Sequence, residues 1–326
     1  MVTIPTTFKA YQFTNFGDVL KEAKLNTEVR QKPLEPTQVR VKVISAAVNP
    51  LDYKLLRYGA AFLPTAPSVE NPFGMGFDTA GVVVEVGSGD VRGLKLGDAV
   101  YGTPDRTAGG SFSDYFAIDS KYLAQKPSNL TFNEAAAVPV AGLTSYQALT
   151  EMGKLQAGER VLILGGGGAT GQFAIQIAKA LGAEVITTAS PRNLKLVKSL
   201  GADQVVDYTS EKWGSVLAEH SVDLIYDCGV ERGSWASDAQ KVLKPNGKFV
   251  TIGMGPKPVE SPIGATFYQL QLHPTPEDLQ SLTKLAESGL VKPVVDSVYP
   301  FDKVMDAIKL QMSNRAQGKI IVEVLW

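Results

Sequence analysis

Three glycines at fixed spacing are the residues best able to do specific work in this chain. Gly166, Gly168 and Gly171 form a G-x-G-x-x-G run inside VLILGGGGATGQFAIQIAKALGAEV. An apolar run precedes them and helically spaced bulky residues follow, so the glycines fall at a strand-to-helix turn. The first permits the tight turn, the second lets backbone approach a pyrophosphate, and the third lets helix and strand pack closely. Gly166, Gly167, Gly168, Ala169, Thr170 and Gly171 are therefore candidate contacts to a dinucleotide, whose phosphates would meet free N–H groups at the helix start. A glycine-rich turn serving packing alone is the rival reading.

The next strand, EVITTA, runs into Ser190-Pro191-Arg192-Asn193. An NAD site places an acid about 20 residues beyond the fingerprint to hold the ribose 2′-hydroxyl. No acid stands here. A hydroxyl and a guanidinium would instead bind a 2′-phosphate, which a carboxylate would repel. Ser190 and Arg192 thus point to NADPH; the competing view makes Arg192 a solvated charge at a helix start.

Other chemistries lack their residues. Two histidines, His220 and His273, and one cysteine, Cys228, are too few for a zinc site unless carboxylates supply the rest. The histidines read as surface or packing residues, and no metal site is expected. The glycines beside Ser111 do not make a nucleophile elbow. Without a Lewis acid, reducing an isolated ketone loses a major source of charge stabilisation. Quinones and conjugated enones spread the incoming charge themselves, so hydrogen-bond donors near the carbonyl oxygen suffice for them.

The elements that must hold these residues follow from pattern. The first 125 or so residues carry short runs bounded by turn residues, among them KAYQF, QVRVKVISAAV, AGVVVEVG and GDAVYG. Such density of strands and turns predicts a partly open β-barrel or a small α+β fold. From Arg160 strands and helices alternate through EVITTA, DQVVDY, VDLIYDC and KFVTIG, which predicts a parallel sheet covered on both faces. GATFYQLQL reads as a strand, 277–288 as an amphipathic helix, and VVDSVYPF and GKIIVEVL as closing strands. The fold class expected is α/β, a Rossmann doubly wound parallel sheet inserted in a discontinuous catalytic domain. Residues 127–272 form the nucleotide domain, and 1–126 with 273–326 the other.

The 326 residues suit two domains sharing a cleft. A net charge of −1 leaves no field to draw nucleic acid or an anionic membrane. The single cysteine excludes an internal disulfide and fits a reducing compartment. The opening MVTIPTTFKAYQF lacks the basic start and apolar core of a secretory signal, and no apolar run is long enough to span a membrane. A cytoplasmic protein is expected.

AAVNPLDYKLLRYG, PFGMGFDTAGVVVEVG, GDAVYG, AAAVPVAGLTSYQAL, the glycine fingerprint, SLGADQVVDY and QGKIIVEV appear in this order along the chain. Together they resemble the zinc-independent medium-chain dehydrogenase/reductase superfamily, in its quinone oxidoreductase and enone reductase branch, over essentially the whole length. Zinc-dependent relatives carry Cys near Asn49 and Gly-His-Glu where this chain has Gly76-Phe77-Asp78.

The resemblance implies a GroES-like catalytic domain, a homodimer or higher oligomer, and hydride transfer from NADPH to a quinone or enone. It places Asn49 beside the nicotinamide. Tyr53 and Lys54 become hydrogen-bond donors to a substrate carbonyl or to the cofactor, unless NPLD is only a turn and a helix start capped by Asp52. Thr144 would contact the nicotinamide or its ribose, Tyr208 the adenosine phosphate, Gly253 and Met254 the nicotinamide, and Lys319 the cofactor cleft. Their plain rivals are a helix-interior threonine, a strand-end aromatic and a strand-edge lysine. Cys228-Gly229-Val230 departs from the more usual order, which has Val before Gly. An NADPH-binding protein with a structural or regulatory role is the other functional class kept open.

Overall fold

Val39, Val41 and Val43 are completely buried along the longest strand of the chain. Each such side chain stabilises the fold by about 1.5–3 kcal/mol. That strand, Gln38–Val48, is read here as β3 in a computed structural model describing residues 4–255 and 258–324. The chain divides into two units, Met1–Val140 with His273–Glu287 and Val295–Trp326, and Ala141–Leu272 with Ser288–Val294.

In the first unit β3 is joined by Thr7–Phe13 (β1), Lys24–Arg30 (β2), Phe73–Gly74 (β4), Asp78–Val86 (β5), Ala99–Gly102 (β6), Tyr115–Asp119 (β7) and Leu123–Gln125 (β8). The second unit contributes Arg160–Leu164 (β9), Glu184–Ala189 (β10), Gln204–Asp207 (β11), Val222–Asp227 (β12), Leu243–Thr251 (β13) and Thr266–Gln269 (β14). Val295–Pro300 (β15) and Lys319–Glu323 (β16) return to the first.

The first unit holds a sheet ordered β15-β16-β3-β5-β6-β8, with β7 also paired to β3, and a smaller sheet β2-β1-β4. Its core gathers Val39, Val41, Val43, Phe13, Phe112 and Ile320. β2 has no counterpart in the sequence reading. Its residues KLNTEVR are nearly all exposed, so no apolar alternation marks it.

The second unit is a sheet of parallel strands in the order β11-β10-β9-β12-β13-β14. Counted from β9 this is 3-2-1-4-5-6, the doubly wound order that binds dinucleotides at the carboxyl ends of its strands. Trp235, Phe249 and Phe267 pack on one another with ring centroids 5.3–5.7 Å apart.

Two stretches fall in a different unit from the one the sequence reading assigned. Residues 127–140 group with the first unit, because the helix Phe132–Ala136 packs on β3 and β5. Asn133 fastens it: its Oδ1 accepts from Ser45 Oγ at 2.5 Å, and its Nδ2 donates to Glu323 Oε1 at 2.6 Å. Ser288–Val294 groups with the second unit. There the amide of Gln176 donates to the Lys292 carbonyl at 3.0 Å and accepts the Lys292 N–H at 2.9 Å. Among the described residues no helix is long and apolar enough to cross a membrane.

Candidate functional site

The glycine turn links β9 to the helix Ala169–Ala180. Gly165 has φ +92°, a region closed to most side chains. A methyl group on Gly166 would overlap Thr187 Oγ1, and one on Gly171 would overlap the Gly165 carbonyl. The turn is tied to β10, for the Gly165 N–H donates to Thr188 Oγ1 at 2.9 Å and the Gly166 N–H to the Thr188 carbonyl at 3.0 Å. Gln172 Nε2 holds the Gly167 carbonyl at 2.9 Å. The N–H groups of Ala169, Thr170 and Gly171 open a helix, where no preceding turn can accept them. This cradle suits an anion: backbone donors stand at the positive end of a helix dipole, with the Asn193 side chain lying against Gly167.

The remaining candidates of this unit follow the same edge of the sheet. Ser190 and Arg192 come directly after β10, Tyr208 after β11, and Gly253 and Met254 after β13. Ser190 takes the N-cap conformation of a short 3₁₀ turn, Pro191–Asn193, without a side-chain cap bond. Arg192, Tyr208 and Met254 are exposed. The Gly253 N–H donates to Thr251 Oγ1 at 2.9 Å, and Gln269 Nε2 donates to the Gly253 carbonyl at 2.7 Å. Thr144 is buried in the helix Pro139–Gln147.

In the first unit the sequence NPLDYK starts a helix, Pro50–Tyr58, with proline at its first position. Asn49 is its N-cap and only 2% exposed. The Asn49 Nδ2 donates to Asp78 Oδ2 at 2.9 Å and to the Ala47 carbonyl at 3.2 Å. Lys319 Nζ donates to Asn49 Oδ1 at 2.6 Å, Asp78 Oδ2 at 2.9 Å and the Val48 carbonyl at 3.2 Å. The Val140 N–H completes the set on Asp78 Oδ1 at 2.8 Å.

Both hydrogens of the Asn49 amide and all three of the ammonium are therefore committed inside the unit. Asn49 and Lys319 are brought together, but as members of a closed network and not as exposed donors. Tyr53, one helix position beyond Asp52, is half-buried against the core, and Lys54 is exposed. Burial, and next the neighbouring Tyr58, push the Tyr53 phenol above its ordinary range, so it keeps its proton.

Asp52 is a functional candidate that sequence reasoning treated only as a cap. Its Oδ2 accepts the Asn49 N–H at 2.6 Å, while its Oδ1 is buried with no hydrogen-bond partner. Burial raises its pKa to about 7; Asp78 pushes the same way, against the Asn49 N–H and Lys319. In the sequence Asp78 stands only as part of a run replacing zinc ligands. An acid inside the apolar stretch GFDTAGVVV was the one signal that a buried partner must exist.

Comparison with known proteins agrees with this architecture. The sequence model described as the alcohol dehydrogenase GroES-like domain matches residues 35–128, and that described as zinc-binding dehydrogenase matches 200–322. A tomato (Solanum lycopersicum) 2-methylene-furan-3-one reductase is 38% identical, covering 98% of this chain and 80% of its own. An NADPH-dependent alkenal/one oxidoreductase from Arabidopsis thaliana chloroplasts is 36% identical with the same coverage. The solved quinone oxidoreductase of Coxiella burnetii superposes with a TM-score of 0.84 at 29% identity, over 98% of this chain and 99% of its own. The chain is an oxidoreductase belonging to the medium-chain dehydrogenase/reductase superfamily, in its quinone oxidoreductase and enone reductase branch.

Proposed function

We propose that this oxidoreductase uses NADPH to reduce quinones or α,β-unsaturated carbonyl compounds, without a metal ion. The observation carrying this reading is the edge beside the glycine cradle, where Ser190 and Arg192 occupy the ground an NAD-specific acid would take. The phosphate-binding N–H groups, the guanidinium of Arg192 and the phenol of Tyr208 would together hold an adenosine carrying a 2′-phosphate. Thr144, Gly253 and Met254 are proposed to line the nicotinamide. The name of the Arabidopsis relative supports the choice of NADPH.

When bound, the reduced nicotinamide would supply hydride. The chain must then orient the acceptor and stabilise the negative charge growing on its carbonyl oxygen. Tyr53 is the donor best suited, being protonated at any physiological pH, with Lys54 beside it. Asn49 and Lys319 act through position: they fix the start of the helix that carries Tyr53. The acceptor's own conjugation does what a Lewis acid would do elsewhere, and Asn49 and Phe77 are poor zinc ligands.

Among the described residues β14 ends its sheet, and such an edge supports assembly as a homodimer or larger homo-oligomer. A cytoplasmic setting fits Cys228, a half-buried residue whose thiol is pushed to high pKa and has no second cysteine to meet.

The test is NADPH and NADH oxidation against a panel holding phenanthrenequinone and short alkenones. Turnover with NADPH on at least one class is expected. Tight NADPH binding without turnover across the panel would replace this reading with a structural or regulatory one. Stoichiometric zinc in the purified protein would overturn its metal-free part.

A further inference from the structure

We infer that Val230 selects the shape of the acceptor: a strained backbone holds its side chain over Gly253 and narrows a cavity of the second unit. The inference rests on the acceptor reading above and assigns it a residue.

Val230 has φ +57°. In this left-handed region the side chain crowds the following carbonyl, and a β-branched residue is the worst fit of all. Glycine is the residue made for such a position, and the chain has one, Gly229, a single place too early. At 43% exposure the side chain gains little from burial to offset the strain.

The conformation persists because both sides of it are pinned. Before it, Asp227 ends β12 and accepts Thr251 Oγ1 at 3.0 Å. After it, the Glu231 N–H donates to Asp227 Oδ1 at 3.0 Å, and Trp213 Nε1 donates to both carboxylate oxygens of Glu231 at 3.1 Å. Strain held in this way by its surroundings gathers where it serves function.

What it achieves is a matter of shape. A methyl group on Gly253 would lie 2.7 Å from Val230 Cγ1, so the isopropyl group fills the space that Gly253 leaves. Both residues border a cavity of about 770 Å³, with Trp235, Phe249 and Phe267 as aromatic wall and Asp227 and Gln269 as polar points. Such a space suits a flat, conjugated acceptor laid against the nicotinamide proposed at Gly253 and Met254, and Val230 limits its width there.

Two variants separate strain from shape. Val230→Gly removes both, whereas Val230→Ala trims the side chain and keeps a Cβ at positive φ. V230G is expected to melt above V230A, the reverse of the usual order for an exposed valine. Both should raise kcat/KM for phenanthrenequinone relative to but-3-en-2-one by about tenfold or more, since a single methylene in an apolar pocket is already worth about tenfold. V230A melting above V230G would overturn the strain. A ratio unchanged in both, or changed in V230G alone through a loosened loop, would overturn the selection. If the wild-type protein neither binds NADPH nor turns over any acceptor, it is the acceptor reading that falls, and the melting order still tests the strain.

Discussion

The ammonium of Lys319 lies 2.6 Å from Asn49 Oδ1, and only 4% of the lysine side chain is exposed. The same nitrogen is 2.9 Å from Asp78 Oδ2, whose side chain is wholly buried. A lysine sunk this far cannot trade its partners for water, so the three residues stand or fall together.

Lys319→Met should therefore be costly. It leaves the Asp78 carboxylate buried with no positive charge, and breaking a buried pair from one side destabilises by about 3–5 kcal/mol. The double variant K319M/D78N should cost clearly less than the sum of the two single changes. Urea unfolding of all four proteins measures this, and simple additivity would remove the coupling.

The Asp52 carboxyl yields a pH signature. Its pKa in the folded chain is raised to about 7 from 3.8, so folding favours the protonated form. The stability it contributes is complete below about pH 4 and is lost as pH rises through 7, by up to about 4 kcal/mol. Asp52→Asn should flatten that decline. Subtracting its stability-against-pH curve from the wild-type curve isolates the group, and a difference flat from pH 4 to 8 would refute it.

The glycines of the turn are not equal. Gly166→Ala drives a methyl into Thr187 Oγ1 and should lower both melting temperature and NADPH affinity, the latter at least about tenfold. Gly168→Ala meets only the Gly165 carbonyl, at 3.6 Å, and has φ −83°, so the variant should fold as the wild type does. Thermal melts with and without nucleotide separate the two; equal losses in both would mean the steric account is wrong.

Arg192→Ala should weaken NADPH by about tenfold or more while sparing NADH, since a charge-assisted bond to phosphate is lost in one case alone. Nucleotide fluorescence titrations decide the point. Equal weakening would take Arg192 out of the phosphate site.

Tyr53→Phe removes the proposed carbonyl donor and leaves the ring's packing. A fall in kcat of about 100-fold with unchanged NADPH affinity is expected. Unaltered kcat would pass the role to Lys54 or to solvent.

How much of this could be read from residues alone depended on distance along the chain. The glycine turn was legible because each glycine answers a local steric demand, and β10 matches EVITTA because its apolar run is bounded on both sides. The Asn49–Asp78–Lys319 network was not, because Lys319 and Asp78 are 241 residues apart and nothing local pairs them. Asp52 looked like an ordinary cap; its burial, with Asp78 nearby, is what raises its pKa toward neutrality. The loop after β12 showed an unusual residue order, but order alone does not say which residue will carry the positive φ.

The clasp of Gln176 on Lys292 bears on any attempt to excise the second unit as a fragment. A piece ending at residue 272 would strand that amide, which is 7% exposed, with two hydrogen bonds unmade. A workable excision must splice 288–294 back on through a short tether, or trade Gln176 for an apolar residue of similar bulk.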